Sequence, residues 1–377
     1  MKRAVVVLLL LPICAGCWDQ KPLRNLHLVD VACADVDEKS GEILLTYIVT
    51  VLKKAGQGEG DPKSESTLLK GPSVVEAVGQ GDYFSAGPFM GIHNRIYLLS
   101  EAFASRDPIE QLSFLLHAPY SSINTPVVIY EGSIAKLMET QSFSKGDFTE
   151  TLNQFILNLE ANRILPNVSM MHFILSKQEP LEDIALPLIK HSGSELQFSG
   201  ALLFRQGEKA EEKLSKEQVQ TLMLLLGEDF NKHKVGGRTK SGTGQQLLTG
   251  QIHDAEFALS IKKGGARISI QSGADGLPKA TVNVKLKVNV YKFGQYGVNL
   301  KPDDVNRLEQ KLIRYLEERA ESTIETIQKA NSDVLGIGRK IYSLHPSLWR
   351  SVDWRKDYPR MSIEPKFDVQ ILNSIAQ

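Results

Sequence analysis

Residues 280–293 read Ala-Thr-Val-Asn-Val-Lys-Leu-Lys-Val-Asn-Val-Tyr-Lys-Phe, and this stretch decides the fold class. Val282, Val284, Leu286, Val288 and Val290 recur at period two with polar residues between them, which predicts a half-buried antiparallel strand. Beyond it the period changes. From Asp303 to about Ala330, Val305, Leu308, Leu312, Leu316, Ala320, Ile324 and Ile327 step by three and four, forming the single apolar stripe of a helix. Pro302, with Asp303 and Asp304 in the first turn, suits the start of that helix. Such a stripe usually packs on a sheet, so strand and helix together describe a sheet with a helical layer on it. Further strands are expected near 195–205, 256–261, 266–271 and 362–372, with turns at Lys263-Gly264-Gly265 and Asp275-Gly276.

The first half of the chain alternates. Residues 26–34 and 42–52 predict two strands joined by Asp37-Glu38-Lys39-Ser40-Gly41. In the second, Ile43, Leu45, Tyr47, Val49 and Val51 share one face, expected to be core, while Thr46 and Thr50 share the other with Leu44 and Ile48. Residues 55–66 are Gly, Ser and charge without a period, the composition of a mobile surface loop. Helical segments are expected at 73–78, 108–117 and 134–140, and strands at 95–100 and 126–131. Asp147 and Glu150 resemble a capping box that opens a helix over about 148–163, before Pro166. The fold class is therefore α+β and multidomain, with mixed sheets, packed helices, and a C-terminal antiparallel sheet carrying a long helix. A change of composition near Gly193 divides a mixed N-terminal α/β domain (17–192), divisible into two subdomains, from a C-terminal α+β domain (193–377).

Bulk composition is that of an ordinary globular protein, with 42% apolar and 23% charged residues in 377. Lys plus Arg and Asp plus Glu both number 44, so nothing indicates nucleic acid. Residues 1–16 have the form of a secretory leader. Lys2 and Arg3 precede an apolar run, Ala4 to Ile13, and the small residues Ala15 and Gly16 stand before Cys17. At about 1.5 Å per residue the run spans roughly 15 Å, half of a hydrocarbon core of about 30 Å, so it is too short to cross a bilayer. Small-small-Cys after such a run resembles the bacterial lipobox, whose Cys carries a diacylglyceryl group; the bland alternative is an ordinary leader with Cys17 a free thiol. On the lipobox reading Cys17 becomes a lipidated mature N-terminus and the body a tethered protein outside the cytoplasmic membrane. Anchoring by two or more acyl chains is stable where one is marginal. Trp18 then lies at headgroup level or simply in the tether. Of the three cysteines only Cys33 remains, read as a small buried apolar residue on a strand.

Three stretches resemble one family, the Ger(x)C lipoproteins, C subunits of nutrient germinant receptors in endospore-forming bacteria. The first is Gly16-Cys17-Trp18-Asp19 with Leu23 and Leu28-Val29. The second, from Gly91 to Glu139, includes Ser100-Glu101-Ala102-Phe103-Ala104, Phe114-Leu115-Leu116 and Val127 to Lys136. The third is Ser332-Asp333-Val334-Leu335-Gly336-Ile337-Gly338, then Pro346, Trp349 and Trp354 to Pro359; Gly200 to Phe204 with Leu214 to Gln218 also follows the family pattern. The sequence departs from it at His117-Ala118, where Arg-Asp is usual, and at Cys33-Ala34-Asp35, where Gly-Ile-Asp is expected. The resemblance implies a multidomain α+β lipoprotein on the outer face of the spore inner membrane, beside a polytopic A-type and a transporter-like B-type subunit. Its lipid would be covalent diacylglyceryl and N-acyl chains on Cys17. It implies no known enzymatic activity. The runner-up is a lipoprotein that binds solute for an unrelated permease, which predicts a ligand cleft between two similar lobes.

Candidate chemistry is sparse. The eight histidines include no pair at i,i+2 or i,i+4, so no metal site is expected, nor any cofactor. No Gly-x-Ser-x-Gly is present, and Gly237 to Thr243 has Thr243 where a phosphate loop needs Lys. Lys232, Lys234, Arg238 and Lys240 cluster in a stretch free of acidic residues, expected to be a flexible loop that contacts anionic headgroups or an acidic partner, or is simply solvated. Asp333, Gly336 and Gly338 are expected to be structural, the glycines serving positive φ or close backbone approach after the long helix. Trp349 and Trp354 are read as core or rim packing, or as interface anchors.

Overall fold

The computed structural model describes residues 27–51, 63–84, 89–119, 121–140, 147–193, 195–227, 234–239, 255–273, 276–293 and 302–374. Cys17, Trp18, Lys232, Lys240 and most of the expected loop at 55–66 lie outside the described residues.

Strands β1 (His27–Val36), β2 (Ile43–Val51) and β3 (Lys63–Gly71) form an antiparallel ladder. Helix α1 (Val74–Phe84) follows, then the short strand β4 (Phe89–Met90), a 3₁₀ turn at Gly91–His93, and β5 (Ile96–Ser100). Helices α2 (Glu101–Ala104) and α3 (Pro108–Leu112) lead to β6 (Val127–Tyr130). Helices α4 (Ile134–Thr140), α5 (Asp147–Ala161) and α6 (Met170–Leu175) lead to β7 (Ile184–Ser192). Two hairpins then add β8 (Glu195–Arg205) and β9 (Glu208–Ser215). The order is β3-β2-β1-β5-β6-β7-β8-β9, with β4 beside β1. The central strands β1, β5, β6 and β7 run parallel, and both flanks are antiparallel.

Every residue of β5 and β6 is buried, the pattern of parallel strands covered on both faces. The same cover corrects the one-faced reading of β2, where Leu44 and Ile48 are as buried as Ile43 and Leu45. Leu45 meets α1 in one core, and Ile48 meets Val31 and Cys33 in the other. Cys33 is buried on β1, and burial raises its thiol pKa well above the ordinary value. β3 was not expected; it takes up residues 63–66 of the predicted loop, as an edge strand with Leu69 turned into the core.

Helix α7 (Lys216–Leu226) starts with a capping box between Ser215 and Gln218 and connects the large sheet to a second sheet. That sheet consists of β10 (Lys234–Thr239), β11 (Ala255–Ser272), β12 (Pro278–Phe293) and β13 (Ser362–Ser374), in that order. Between β12 and β13 lie α8 (Pro302–Lys329), α9 (Ile337–Leu344), α10 (Pro346–Trp349) and α11 (Trp354–Asp357). All five alternating apolar residues of β12 are buried, and so are six of the seven stripe positions of α8, with Val305 half-buried. β12 is antiparallel to β11 and parallel to β13, because the helical crossover returns the chain in the same direction. The C-terminal sheet is thus antiparallel with one parallel strand at its edge. Glu317 and Glu309 of α8 accept the N–H groups of Phe367 (3.2 Å) and Ile371 (2.8 Å), which shields that edge.

The expected turn at Lys263-Gly264-Gly265 does not exist. β11 is continuous there, Gly264 pairing with Leu286 and Gly265 with Lys285, and the register slips between Ile261 and Lys263. The irregularity is a bulge at Lys262, just ahead of the glycines, rather than a reversal. The segment 234–239, expected as part of a flexible basic loop, is strand β10, with Arg238 in register with Glu256.

Candidate functional site: a carboxylate joint between the sheets

Asp183 precedes β7, and its side chain is fully buried. Its Oδ1 accepts the N–H of Gln206 (3.1 Å) and Arg355 Nη2 (2.9 Å); its Oδ2 accepts the N–H of Asp333 (2.7 Å) and Arg355 Nη1 (2.6 Å). Arg355 Nη2 also donates to the Pro180 carbonyl at 2.6 Å. One carboxylate therefore ties together the entrance to β7, the β8–β9 turn, the segment after α8, and α11.

The stretch Asp333 to Gly338 folds back on itself. Gly336 has φ +68°, a left-handed conformation that costs glycine nothing, and it aims the N–H groups of Ile337 and Gly338 at Asp333. Asp333 Oδ1 accepts the first at 3.0 Å and Oδ2 the second at 2.7 Å, so Asp333 caps α9 from within its own loop. Burial pushes the Asp333 carboxyl up to about 7 against the pull of those two N–H groups, with the Asp183 charge adding to the rise. Gly338 is required by close approach. A Cβ there would stand 2.5 Å from Cε2 of Trp354, below any van der Waals contact.

Trp354 is buried and begins the packing of this region. Its ring centroid lies 5.1 Å from Tyr358 and 5.9 Å from Trp349, and Trp349 meets Tyr342 edge-on at 5.6 Å. Tyr358 is completely buried and donates its hydroxyl to the Ser332 carbonyl (3.2 Å), while Ser332 Oγ donates to the Phe204 carbonyl (3.1 Å). Gln328 donates to the carbonyls of Tyr358 and Met361. Close by, Glu182 joins His172 and Arg339 (2.6 Å); burial works to raise its pKa, but the hydrogen bonds with those two side chains bring it below the ordinary value.

Two hollows flank Arg355. One, of about 690 Å³, is lined by Pro180, Leu181, Tyr342, Trp349, Trp354 and Arg355; the other, of about 370 Å³, by Lys177, Arg205, Gln206, Glu208, Asn331 and Arg355. Among the described residues no three His, Cys, Asp or Glu side chains are placed to hold a metal ion. All four oxygens of Asp183 and Asp333 already accept hydrogen bonds, so the arrangement offers firm attachment rather than a free base.

The structure thus gathers Asp333, Gly336, Gly338, Trp349 and Trp354 at one joint. It leaves Lys234 and Arg238 on β10, outside that gathering. Asp183 and Arg355 carry the joint and were not singled out from sequence. Arg355 lay inside a quoted family stretch, whereas Asp183 gave no signal beyond being a carboxylate ahead of an apolar run.

Comparison with known proteins agrees along the whole chain. A family model described as the spore germination protein N-terminal domain matches residues 19–191, and one described as spore germination B3/GerAC like, C-terminal, matches residues 199–375. Spore germination protein GerQC of Bacillus cereus is 23% identical over 375 residues, covering 99% of both chains. Spore germination protein KC of Bacillus subtilis (strain 168) is 22% identical over 405 aligned positions, covering 98% of this chain and 94% of that one. The crystal structure of the GerBC protein matches with a TM-score of 0.58 at 16% identity, covering 90% of this chain and 97% of that one, a likeness of fold. With both halves matched in order and the Asp333–Gly338 loop folded as a structural clasp, the chain belongs to the Ger(x)C family of spore germination proteins.

Proposed function

We propose that this chain is a non-catalytic, lipid-anchored subunit of a spore nutrient germinant receptor, needed for nutrient-triggered germination. The observation that carries the reading is the match of both family models, in order, behind residues 1–16, whose sequence has the form of a leader cut just before Cys17. Diacylglyceryl and N-acyl chains on Cys17 would hold the body on the outer face of the spore inner membrane. There it would assemble with a polytopic A-type and a transporter-like B-type subunit, the anchor turning that encounter into one at high effective concentration. The fully bonded carboxylates of the joint favour a scaffolding role over catalysis. The solute-binding alternative calls for two similar doubly wound lobes. The two sheets differ in size and strand direction and share one apolar core, which favours the receptor reading.

A mild-detergent pull-down of the tagged protein from dormant-spore membranes tests it, with mass spectrometry of its partners and of its own N-terminal peptide. Recovery of a polytopic and a transporter-like subunit, with lipid on Cys17, is expected. Recovery with an unrelated permease, or an unmodified Cys17, would overturn the corresponding part.

A further inference from the structure

The larger hollow beside Arg355, of about 690 Å³, has the size of a small-molecule site. Glu179, Pro180 and Leu181, on the approach to β7, form one part of its wall, and Tyr342, Trp349 and Trp354 another. These three rings meet because α9, α10 and α11 follow one another within residues 337–357. Tyr342 lies edge-on to Trp349, and Trp349 is tilted by 41° against Trp354, so the rings form one continuous aromatic surface. Trp354 lies deep, and Tyr342 stands outermost at 58% exposed.

The deep donors are closed to a ligand. Arg355 Nε and Trp354 Nε1 are enclosed, the latter packed toward Gly338, and both terminal nitrogens of Arg355 are engaged by Asp183 and Pro180. The charges on the wall are matched, with one exception. Arg339 is paired with Glu182, Arg355 with Asp183 and Lys356 with Asp353, each at 2.6 Å. Glu179 is exposed and has no ion pair among the described residues.

An aromatic surface beside one uncompensated carboxylate attracts positive charge, because ring faces are negative and tryptophan's most strongly so. A metal ion such as calcium wants about six or more oxygen ligands, and the hollow offers one free carboxylate. The cation that suits it is weakly hydrated and carries apolar groups.

We propose that the hollow binds a small organic cation, an alkylated ammonium whose methyl groups lie among Tyr342, Trp349 and Trp354 and whose charge is balanced by Glu179. The proposal depends neither on an anchor at Cys17 nor on membership of a receptor.

The test titrates the full chain, in a non-ionic detergent at about pH 8, above the ordinary histidine range. Three probes of one shape are compared: choline, its neutral carbon isostere 3,3-dimethylbutan-1-ol, and the anion 3,3-dimethylbutanoate. Two of the three tryptophans of the chain line the hollow, so tryptophan emission reports occupancy, with calorimetry as the second readout. Choline should change the emission saturably, with the alcohol binding about tenfold more weakly and the carboxylate more weakly still. Glu179→Gln should weaken choline about threefold while leaving the alcohol unchanged, a loss that shrinks as salt is raised. Tyr342→Ala should weaken choline about fivefold and Tyr342→Phe should retain it, near-UV dichroism confirming that both variants are folded. Equal affinity for choline and the alcohol, tighter binding of the anion, or no saturable change with choline overturns the proposal. So does a choline affinity that neither Glu179→Gln nor Tyr342→Ala alters, which would place the cation elsewhere.

Discussion

Replacing Asp183 by Ala removes four hydrogen bonds at once, and their cost follows from what each donor loses. Arg355 keeps a carbonyl contact at Pro180 and another at Asn331, and its charge loses the carboxylate it is ion-paired with. Stranding a charge beside a buried partner costs about 3–5 kcal/mol when both are enclosed. Because the Arg355 side chain is 23% exposed, screening by water lowers that to about 2 kcal/mol. The N–H of Asp333 is buried without another acceptor and adds about 2 kcal/mol; that of Gln206 lies near solvent and adds little. The sum is about 4 kcal/mol. With unfolding entropy near 2.1 cal/mol/K per residue, about 0.8 kcal/mol/K for 377 residues, Tm should fall by about 5 °C. Urea unfolding of Asp183→Ala, Arg355→Met and the double variant closes the cycle, with a coupling of about 2 kcal/mol expected. Hydrogen exchange should rise selectively across residues 331–358, which the carboxylate holds to β7. A loss below about 1 kcal/mol, or strictly additive effects in the double variant, would refute the reasoning.

Gly338→Ala sets about 1 kcal/mol of gained helix propensity against about 1–3 kcal/mol of overpacking on the Trp354 ring, so a net loss near 1 kcal/mol with altered near-UV tryptophan dichroism is expected. Unchanged spectra would show that the ring is not displaced. Gly200→Ala should be worse, about 3 kcal/mol by chemical denaturation, because its Cβ would lie 2.0 Å from the Leu214 carbonyl oxygen at φ +149°, where backbone rather than side chain must yield. Asp333 holds its proton more tightly folded than unfolded, with a pKa near 7 against an ordinary 3.8, so its contribution is full below pH 4 and is lost as pH rises through 7. Between pH 5 and 8 the wild type should therefore lose stability relative to Asp333→Asn; a difference that does not change with pH would count against a raised carboxyl.

What the sequence made legible was local. The β12 alternation and the α8 stripe repeat at their own periods, so both elements follow from neighbouring residues alone. The Asp333–Gly338 clasp stood out through its resemblance to a family stretch, and its hydrogen bonds are local, with donors four and five residues from the acceptor. Asp183 meets its partners across 150 and 172 residues, a separation no spacing rule registers. β7 was missed because it is buried without alternation and carries Pro187, which argues against a central strand; the structure seats that proline opposite Ala201 on the antiparallel side. The start of β3 was mistaken for loop because Ser64 is followed by exposed Glu65 and Ser66, and no large apolar residue is buried before Leu69.

The hairpin of β7 and β8 has a consequence for how this family can vary. The two family models meet within it, one ending at residue 191 and the other starting at 199, while the sheet passes through without interruption. A fragment cut at that seam would expose the whole length of β7, nine residues of hydrogen-bonding backbone, as an adhesive border. Exchange of halves between paralogues would succeed only where the donor's β8 matches the recipient's β7 in register, bulge included. The molecule is thus inherited as one fabric, and the halves that look like modules in sequence are constrained to evolve together along that hem.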